Sequence, residues 1–188
     1  MDQIRLPGQW AEWELTEYIG SGAYGTVYEA VRERDGLIEE SAIKIIRVPL
    51  EDSDLEFMMR EYRNEHTVRQ YYSNLVDELI KEIKTMDALK EHPNIVAIQD
   101  YVVEENKDQV GWTIYIRMEL LENLTDSVSG KKVQEKEVIK LGKDLCQALT
   151  GCEEHNILHR DIKPDNILVS PDGDYKLADF GVARQIEK

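Results

Sequence analysis

The amino-terminal part of the chain has the alternation of apolar and polar residues that is typical of β-strands. The alternation runs from residue 13 to about residue 47 and ends in the β-branched run 41–48. Two further strands are predicted over 95–103 and 112–120, joined by a polar connection. The pattern therefore predicts a sheet of five strands.

Two long helices are predicted from a different spacing. Charged residues dominate between 51 and 90, glycine is absent there, and proline in the sequence 92–94 ends the segment. Apolar residues recur every three or four positions, which predicts one buried face on each helix. The first face consists of Leu75, Leu79, Ile83, Met86 and Leu89, and the second, over 134–154, of Val138, Leu141, Leu145, Ala148, Leu149 and Cys152.

Short strand-like pieces at 167–169 and 175–177 follow the second helix. The order of elements favours an α+β architecture with two lobes over a regular βαβ alternation.

Charge and composition narrow the classes of partner. The 188 residues include 23 Lys and Arg against 38 Asp and Glu, a formal net charge of −15. This excess disfavours nucleic acid and anionic membranes as partners. An acidic surface either attracts basic partners or is simply solvated, and both interpretations stay open.

The lack of a recognisable targeting signal and the placement of the two cysteines predict a cytoplasmic location. No apolar run approaches the ~20 residues that span a bilayer, and the first twenty residues lack the pattern of a secretory signal. Cys146 and Cys152 are separated by about 600° of helical turn, so they point apart. We predict two reduced thiols rather than a disulfide or a metal pair.

A glycine-rich motif follows the first predicted strand. Gly20, Gly22 and Gly25, with Val27, fit G-x-G-x-x-G-x-V. Glycines let backbone N–H groups approach a phosphate closely, although a plain hairpin turn explains the motif equally well. Because a strand and not a helix follows, the motif indicates a flap over a nucleotide rather than a dinucleotide site.

A lysine lies inside the apolar third strand. Lys44 either extends its charged end from an edge into water or performs a function. Pairing with Glu82 on the following helix would orient its ammonium group towards a polyphosphate, and Glu78, one turn earlier, is the rival partner.

The strongest motif is H-R-D-x-K-x-x-N. A charged loop would explain His159-Arg160-Asp161 alone, but the full pattern arises by chance on the order of once in 10⁴ such chains. Asp161 can accept a hydroxyl proton, Lys163 can balance phosphoryl charge, and Asn166 can bind a hard cation. Asp179, thirteen residues later, supplies a second oxygen ligand.

Together these motifs resemble a eukaryotic-type protein serine/threonine kinase domain, from about Trp13 to the last residue. The resemblance implies an α+β fold with an amino-terminal lobe and hinge over 1–121 and a partial helical lobe over 122–188. It implies ATP and Mg²⁺ as cofactors and a Ser or Thr of a protein as substrate. Lysine two positions after Asp161 is similar to serine/threonine rather than tyrosine kinases.

The resemblance also implies residue roles. Lys44 would hold the α- and β-phosphates and pair with Glu82, Asp161 would be the catalytic base, and Lys163 would contact the γ-phosphate. Asn166 and Asp179 would be the Mg²⁺ ligands. The remaining nucleotide residues would be Gly20, Gly22, Tyr24, Gly25, Val27, Ala42, Met118, Glu119, Leu121 and Leu168, and an apolar stack would contain Met86, Ile98, His159 and Phe180.

Two features depart from the family's pattern. Lys44 and Glu82 are 38 residues apart, roughly twice the usual interval, and the surplus at about 50–72 predicts an extra charged helix with little burial. The segment is more similar to bacterial kinases than to animal ones, and it either regulates Glu82 or is a solvated extension.

The chain also stops seven residues after Gly181, before the end of an activation segment and the substrate platform. We therefore expect a fragment, with self-association through the helix 134–154. The alternative function is a non-catalytic nucleotide-binding or scaffolding module.

Overall fold

The computed structural model describes residues 4–22 and 25–180, together with the backbone of a short strand at Arg184–Gln185. The chain divides into two compact units. The first consists of Met1–Ile80 and Gln99–Leu120, and the second of Lys81–Ile98 and Leu121–Lys188.

The first unit contains the predicted sheet. Its strands are β1 (Glu14–Gly22), β2 (Gly25–Arg34), β3 (Leu37–Val48), β4 (Ile98–Glu105) and β5 (Trp112–Met118), in the spatial order β1-β2-β3-β5-β4. The pairs β1–β2, β2–β3 and β3–β5 are antiparallel. The predicted five-stranded sheet and α+β fold are confirmed.

The two faces of this sheet have different roles. One face packs on an apolar cluster in which Trp10, Trp13, Ile43 and Tyr115 are buried. Strand alternation places residues at even positions of β3 on the other face. The register of β2, β3 and β5 places Val27, Lys44, Ala42 and Met118 on that second face.

Two helices follow β3, and one differs from the prediction. Helix α1 (Asp52–Tyr62) has no buried residue and ends at Arg63 in a left-handed conformation (φ 49°). Helix α2 (Glu65–Ala88) starts within the supposed insert, and its Val68 and Tyr72 are 0% and 5% exposed. The expectation of little burial over 50–72 is therefore right for α1 and wrong for the start of α2.

The buried face of α2 agrees with the prediction at Ile83 and Leu89 and differs from it at Leu75. Val76 is 4% exposed, whereas Leu75 is 40% exposed. Val68, Tyr72 and Val76 follow a spacing of four, and this row continues to the buried Ile83.

The second unit has its own core. Its helices are α3 (Leu124–Val128) and α4 (Glu135–Glu154), and its short strands are β6 (Glu122–Asn123), β7 (Ile157–Leu158), β8 (Ile167–Val169), β9 (Tyr175–Leu177) and β10 (Arg184–Gln185). Its buried cluster consists of Leu89, Ile95, Ala148, Cys152, Ile157, Ile167, Leu177 and Phe180.

The apolar face of α4 is only partly the predicted one. Ala148 and Cys152 are buried, and Leu141 and Leu145 pack against the same core. Val138 and Leu149 are exposed instead, as is Ile139. Both cysteines are free, as predicted. Among the described residues, none of the helices combines the length and apolar character needed to cross a bilayer.

Candidate active site

The loop after β7 is organised around His159, which is 3% exposed. Its Nδ1 accepts a hydrogen bond from the backbone N–H of Asp161 at 3.3 Å, so its Nε2 carries the proton and donates to the carbonyl of Ala178 at 3.0 Å. Its ring meets Phe180 edge-on at 4.6 Å between centroids. Burial lowers the pKa of His159, which keeps this neutral tautomer.

The Asp161 carboxylate is fixed by two neighbouring side chains. Lys163 Nζ lies 2.8 Å from Asp161 Oδ2, and Asn166 Nδ2 donates to the same oxygen at 2.9 Å. Asn166 Nδ2 also donates to the Asp161 backbone carbonyl at 2.8 Å. The hydrogen bond from Lys163, supported by that from Asn166, holds the pKa of Asp161 below its ordinary value, so the group is a carboxylate at neutral pH.

Ala178 connects this loop to the segment that carries Asp179. Its N–H donates to the carbonyl of Asn166 at 2.8 Å, while its carbonyl accepts from His159. Asp179 follows directly and has a left-handed backbone (φ 59°), a conformation that few residues other than glycine adopt. The bonds of Ala178 therefore fix the backbone on which both predicted metal ligands lie.

The loop 92–94 is hydrogen-bonded to β9, the strand that precedes Asp179. The Asn94 amide donates to the Tyr175 carbonyl at 3.0 Å, and the Asn94 carbonyl accepts from the N–H of Leu177 at 2.9 Å. His92 lies so close to α4 that a Cβ on Gly151 would stand 2.6 Å from its ring. The sequence showed this loop only as a helix stop.

An ionic network on α4 also supports β9. Asp144, which is 7% exposed, accepts from Lys140 at 2.6 Å and from the N–H of Tyr175 at 3.0 Å. Lys140 also donates to Asp174 at 2.7 Å. Sequence reasoning missed this group, although a carboxylate between Leu141 and Ala148 on an apolar helix face was an available signal.

Asn123 connects helix α3 to the loop that carries Asp161 and Asp165. Its side-chain oxygen caps the helix by accepting from the N–H of Thr125 at 2.9 Å, and its amide donates to the Asp165 carbonyl at 3.1 Å. Leu168 lies on β8 opposite Asn123 and Lys176, and is half-buried. Leu121 immediately precedes β6 and is also half-buried.

The glycine-rich motif covers the end of β1 and the start of β2, and its glycines differ in what they require. Gly25 has φ +131°, and a Cβ there would stand 2.2 Å from the carbonyl oxygen of Ile45. A Cβ at Gly20 or Gly22 would meet no described atom within 4 Å. Of these three positions, only position 25 requires glycine for the fold. Tyr24 lies outside the described residues.

Four predicted nucleotide residues share one face of the sheet. Val27 pairs with Lys44, and Ala42 pairs with Met118. Because Ala42 and Lys44 are two residues apart on β3, all four side chains leave the sheet on the face opposite the Trp10 cluster. Glu119 follows β5, and Glu82 lies on α2; both are half-buried, and pairing of Lys44 with Glu82 stays a prediction.

Comparison with known proteins gives a consistent result. The family model of the protein kinase domain matches residues 13–188. The chain is 33% identical over 180 residues to cyclin-dependent kinase F-1 of Arabidopsis thaliana, covering 93% of this chain and 32% of that protein. It is 36% identical over 175 residues to cyclin-dependent kinase 1 of Encephalitozoon cuniculi, covering 92% and 50%.

A third relative is human myosin-IIIa, which is 32% identical over 182 residues, 93% of this chain and 10% of that protein. The chain thus spans half or less of the length of each of these proteins. The family match covers the sheet, the glycine-rich hairpin and the ordered loop around Asp161 alike, so the chain belongs to the protein kinase domain family.

Proposed function

We propose that this domain transfers the γ-phosphoryl group of ATP, with Mg²⁺, to a serine or threonine hydroxyl of a protein. The observation that carries the proposal is the Asp161 carboxylate, held by both Lys163 and Asn166. A carboxylate fixed in this way can accept a hydrogen bond from the incoming hydroxyl and orient its oxygen towards phosphorus.

The residues that we propose for nucleotide binding lie partly in the first unit and partly in the second. In the first unit, Val27, Ala42, Met118 and Lys44 share one face of the sheet, and we assign the first three to adenine and Lys44 to the phosphates. The open space at Gly20 and Gly22 lets backbone N–H groups approach phosphate oxygens. Leu121, Leu168 and the backbone of Glu119 complete the set that the family resemblance implies.

Asn166 and Asp179 fit a magnesium ion. The Asn166 amide nitrogen is committed to Asp161, so its oxygen is the atom of this side chain that can bind a cation. The described residues contain no cluster of three His, Cys, Asp or Glu side chains, and Mg²⁺ commonly combines one or two protein oxygens with water and substrate phosphate. A bound ion would neutralise charge on the phosphates during transfer.

The division of roles is tested by two substitutions in the protein. Asp161→Asn should abolish transfer of labelled phosphate to a protein substrate while leaving ATP affinity nearly unchanged. Asp179→Ala should weaken ATP binding in the presence of Mg²⁺. Asp172→Asn, in an exposed turn, is the matched control. Transfer that survives Asp161→Asn would refute the proposed role of that residue.

The alternative is a nucleotide-binding module without catalysis. Nucleotide binding with no transfer by the wild-type protein would favour it. The ordered Asp161–Lys163–Asn166 group supports the catalytic function instead, because adenine recognition does not need these contacts.

Two smaller proposals concern the state of the protein. Val138, Ile139 and Leu149 are the exposed apolar residues of α4, and we propose that they support self-association. The exposed patch is smaller than the sequence predicted, because Cys152 is buried in the core of its own unit and Leu141 and Leu145 pack against that core. The two free thiols support a cytoplasmic location.

A further inference from the structure

A groove of about 400 Å³ lies within the first unit, between the end of β3, helix α1 and helix α2. We name it the α1–α2 groove, and its principal side chains are Leu50, Asp54, Phe57, Tyr71, Tyr72 and Leu75. Its volume falls in the range of about 300–1,000 Å³ that is typical of ligand sites. None of the residues assigned to nucleotide or metal lines it.

The groove keeps large apolar side chains in contact with water. Leu50, Phe57, Tyr71 and Leu75 are 55%, 65%, 53% and 40% exposed. Helix α1 has no fully buried residue, and packing that leaves Leu55 and Met58 half-buried does not explain the exposed Phe57. Apolar residues that cluster on one exposed surface mark an interaction site, whereas scattered ones need no explanation.

The charge around the groove is negative. The segment 51–62 holds five acidic residues against one basic residue, Arg60, and Arg60 is paired with Glu56 at 3.0 Å. Asp54 lines the groove directly. Arg47 also lines it, but its position on β3 places its side chain on the Tyr115 face of the sheet. A basic occupant is therefore the electrostatic complement.

Aromatic rings stand beside the Asp54 carboxylate. Tyr71 and Tyr72 meet edge-on at 5.2 Å between centroids, and Phe57 lines the groove from α1. Burial raises the pKa of Tyr72, and the charge of Asp54 raises it further, which agrees with a carboxylate near that hydroxyl. Aromatic faces next to a carboxylate attract organic cations such as a guanidinium group.

We propose that the α1–α2 groove is a docking site for a protein partner whose docking segment presents an arginine or lysine beside a bulky apolar side chain. The basic group would lie between Asp54 and the aromatic rings, and the apolar side chain would cover Phe57 and Leu75. The proposal does not depend on phosphoryl transfer.

The test uses two pools of fluorescent, capped ten-residue peptides. One pool has arginine and leucine fixed three positions apart, and the matched pool has glutamate in place of arginine. We expect the arginine pool to bind at least about tenfold more tightly at about 0.15 M salt, measured by fluorescence anisotropy. Asp54→Lys and Phe57→Ala should each remove most of this difference.

Matched controls lie on the same helix but do not line the groove. Glu61→Lys makes the same change of charge as Asp54→Lys at a position away from the groove, and Tyr62→Ala removes an exposed ring comparable to Phe57, so both should keep most of the difference between the two pools. Circular dichroism checks that all four variants keep their helical content.

Three results would overturn the proposal. They are equal binding of the two pools, equal loss of binding in the control variants, and absence of binding up to about 1 mM. A dimer in sedimentation experiments that dissociates on Phe57→Ala would assign the groove to a second copy of the chain and would equally refute a basic partner.

Discussion

At the scale of single residues, His159 combines a ring contact with Phe180 and hydrogen bonds at both of its ring nitrogens. The family resemblance implied a place for it in an apolar stack, and the structure puts its ring against Phe180. The resemblance did not indicate that its two nitrogens connect Asp161 to Ala178. Polar contacts of this kind depend on tertiary geometry, which periodicity and motif spacing do not carry.

The depressed pKa of His159 predicts a loss of stability in acid. In the unfolded chain this group binds a proton below about pH 6.5, whereas in the folded chain it does so only at lower pH. Stability should therefore decrease as pH falls below about 6.5, by about 1.4 kcal/mol for each unit of pKa difference.

The measurement is urea unfolding at several pH values between about 5 and 7.5. His159→Leu should flatten the pH dependence in this window whatever it does to stability at pH 7.5. The exposed His66 offers the control, since His66→Gln should keep the wild-type slope. An unchanged slope in His159→Leu would refute this assignment.

Substitutions of the three glycines of the β1–β2 hairpin should affect the stability of the fold and the proposed binding of ATP differently. Gly25→Ala should lower stability by about 3 kcal/mol or more, because it combines an unfavourable φ with a clash at Ile45. Gly20→Ala and Gly22→Ala should change stability by less than about 1 kcal/mol and weaken binding of ATP. Chemical unfolding and calorimetry give the two quantities. Large destabilisation by all three substitutions would contradict this separation.

At the scale of elements, the helical region after β3 shows where the sequence was sufficient and where it was not. The apolar spacing of α2 predicted its existence, but its start at Glu65 and the break at Arg63 were missed. Neither glycine nor proline marks that break, and the available signal was Asn64, whose side-chain oxygen accepts from the N–H of His66 at 3.0 Å and caps the start of α2. Tertiary packing decided that Val76 and not Leu75 is buried.

Neighbouring tyrosines on α2 provide a direct test of this packing. Tyr72 is 5% exposed and Tyr71 is 53% exposed. By analogy with other large aromatic side chains in cores, Tyr72→Ala should cost about 3 kcal/mol. Tyr71→Ala should cost less than about 1 kcal/mol, since half of its side chain is already in water. Equal costs in urea unfolding would show that the two helix faces are assigned wrongly.

At the scale of the whole molecule, motif order was informative because kinase motifs fix both chemistry and fold. The five strands, the long α4 and the small strands β8 and β9 all lie near their predicted positions. The support beneath β9 was not foreseen. It depends on Asn94 and Asp144, polar residues at 4% and 7% exposure whose partners are distant in sequence.

The exposed residues of α4 predict the state of association. Sedimentation at micromolar concentration should show self-association that Val138→Lys reduces. Leu37→Lys, at a residue that is 70% exposed on β3, is the control for a change of charge elsewhere. A wild-type chain that remains monomeric at this concentration would contradict the proposed contact.

The central claim is that Asn166 and Asp179 bind the metal of a nucleotide complex while Asp161 orients the hydroxyl. Calorimetric titration of the 188-residue chain with ATP, with and without Mg²⁺, tests it most directly. We predict Mg²⁺-dependent binding that Asp179→Ala weakens by about tenfold or more, about 1.4 kcal/mol, and that Asp161→Asn leaves nearly unchanged. Equal ATP affinity in all three proteins, or binding indifferent to Mg²⁺, would contradict the account.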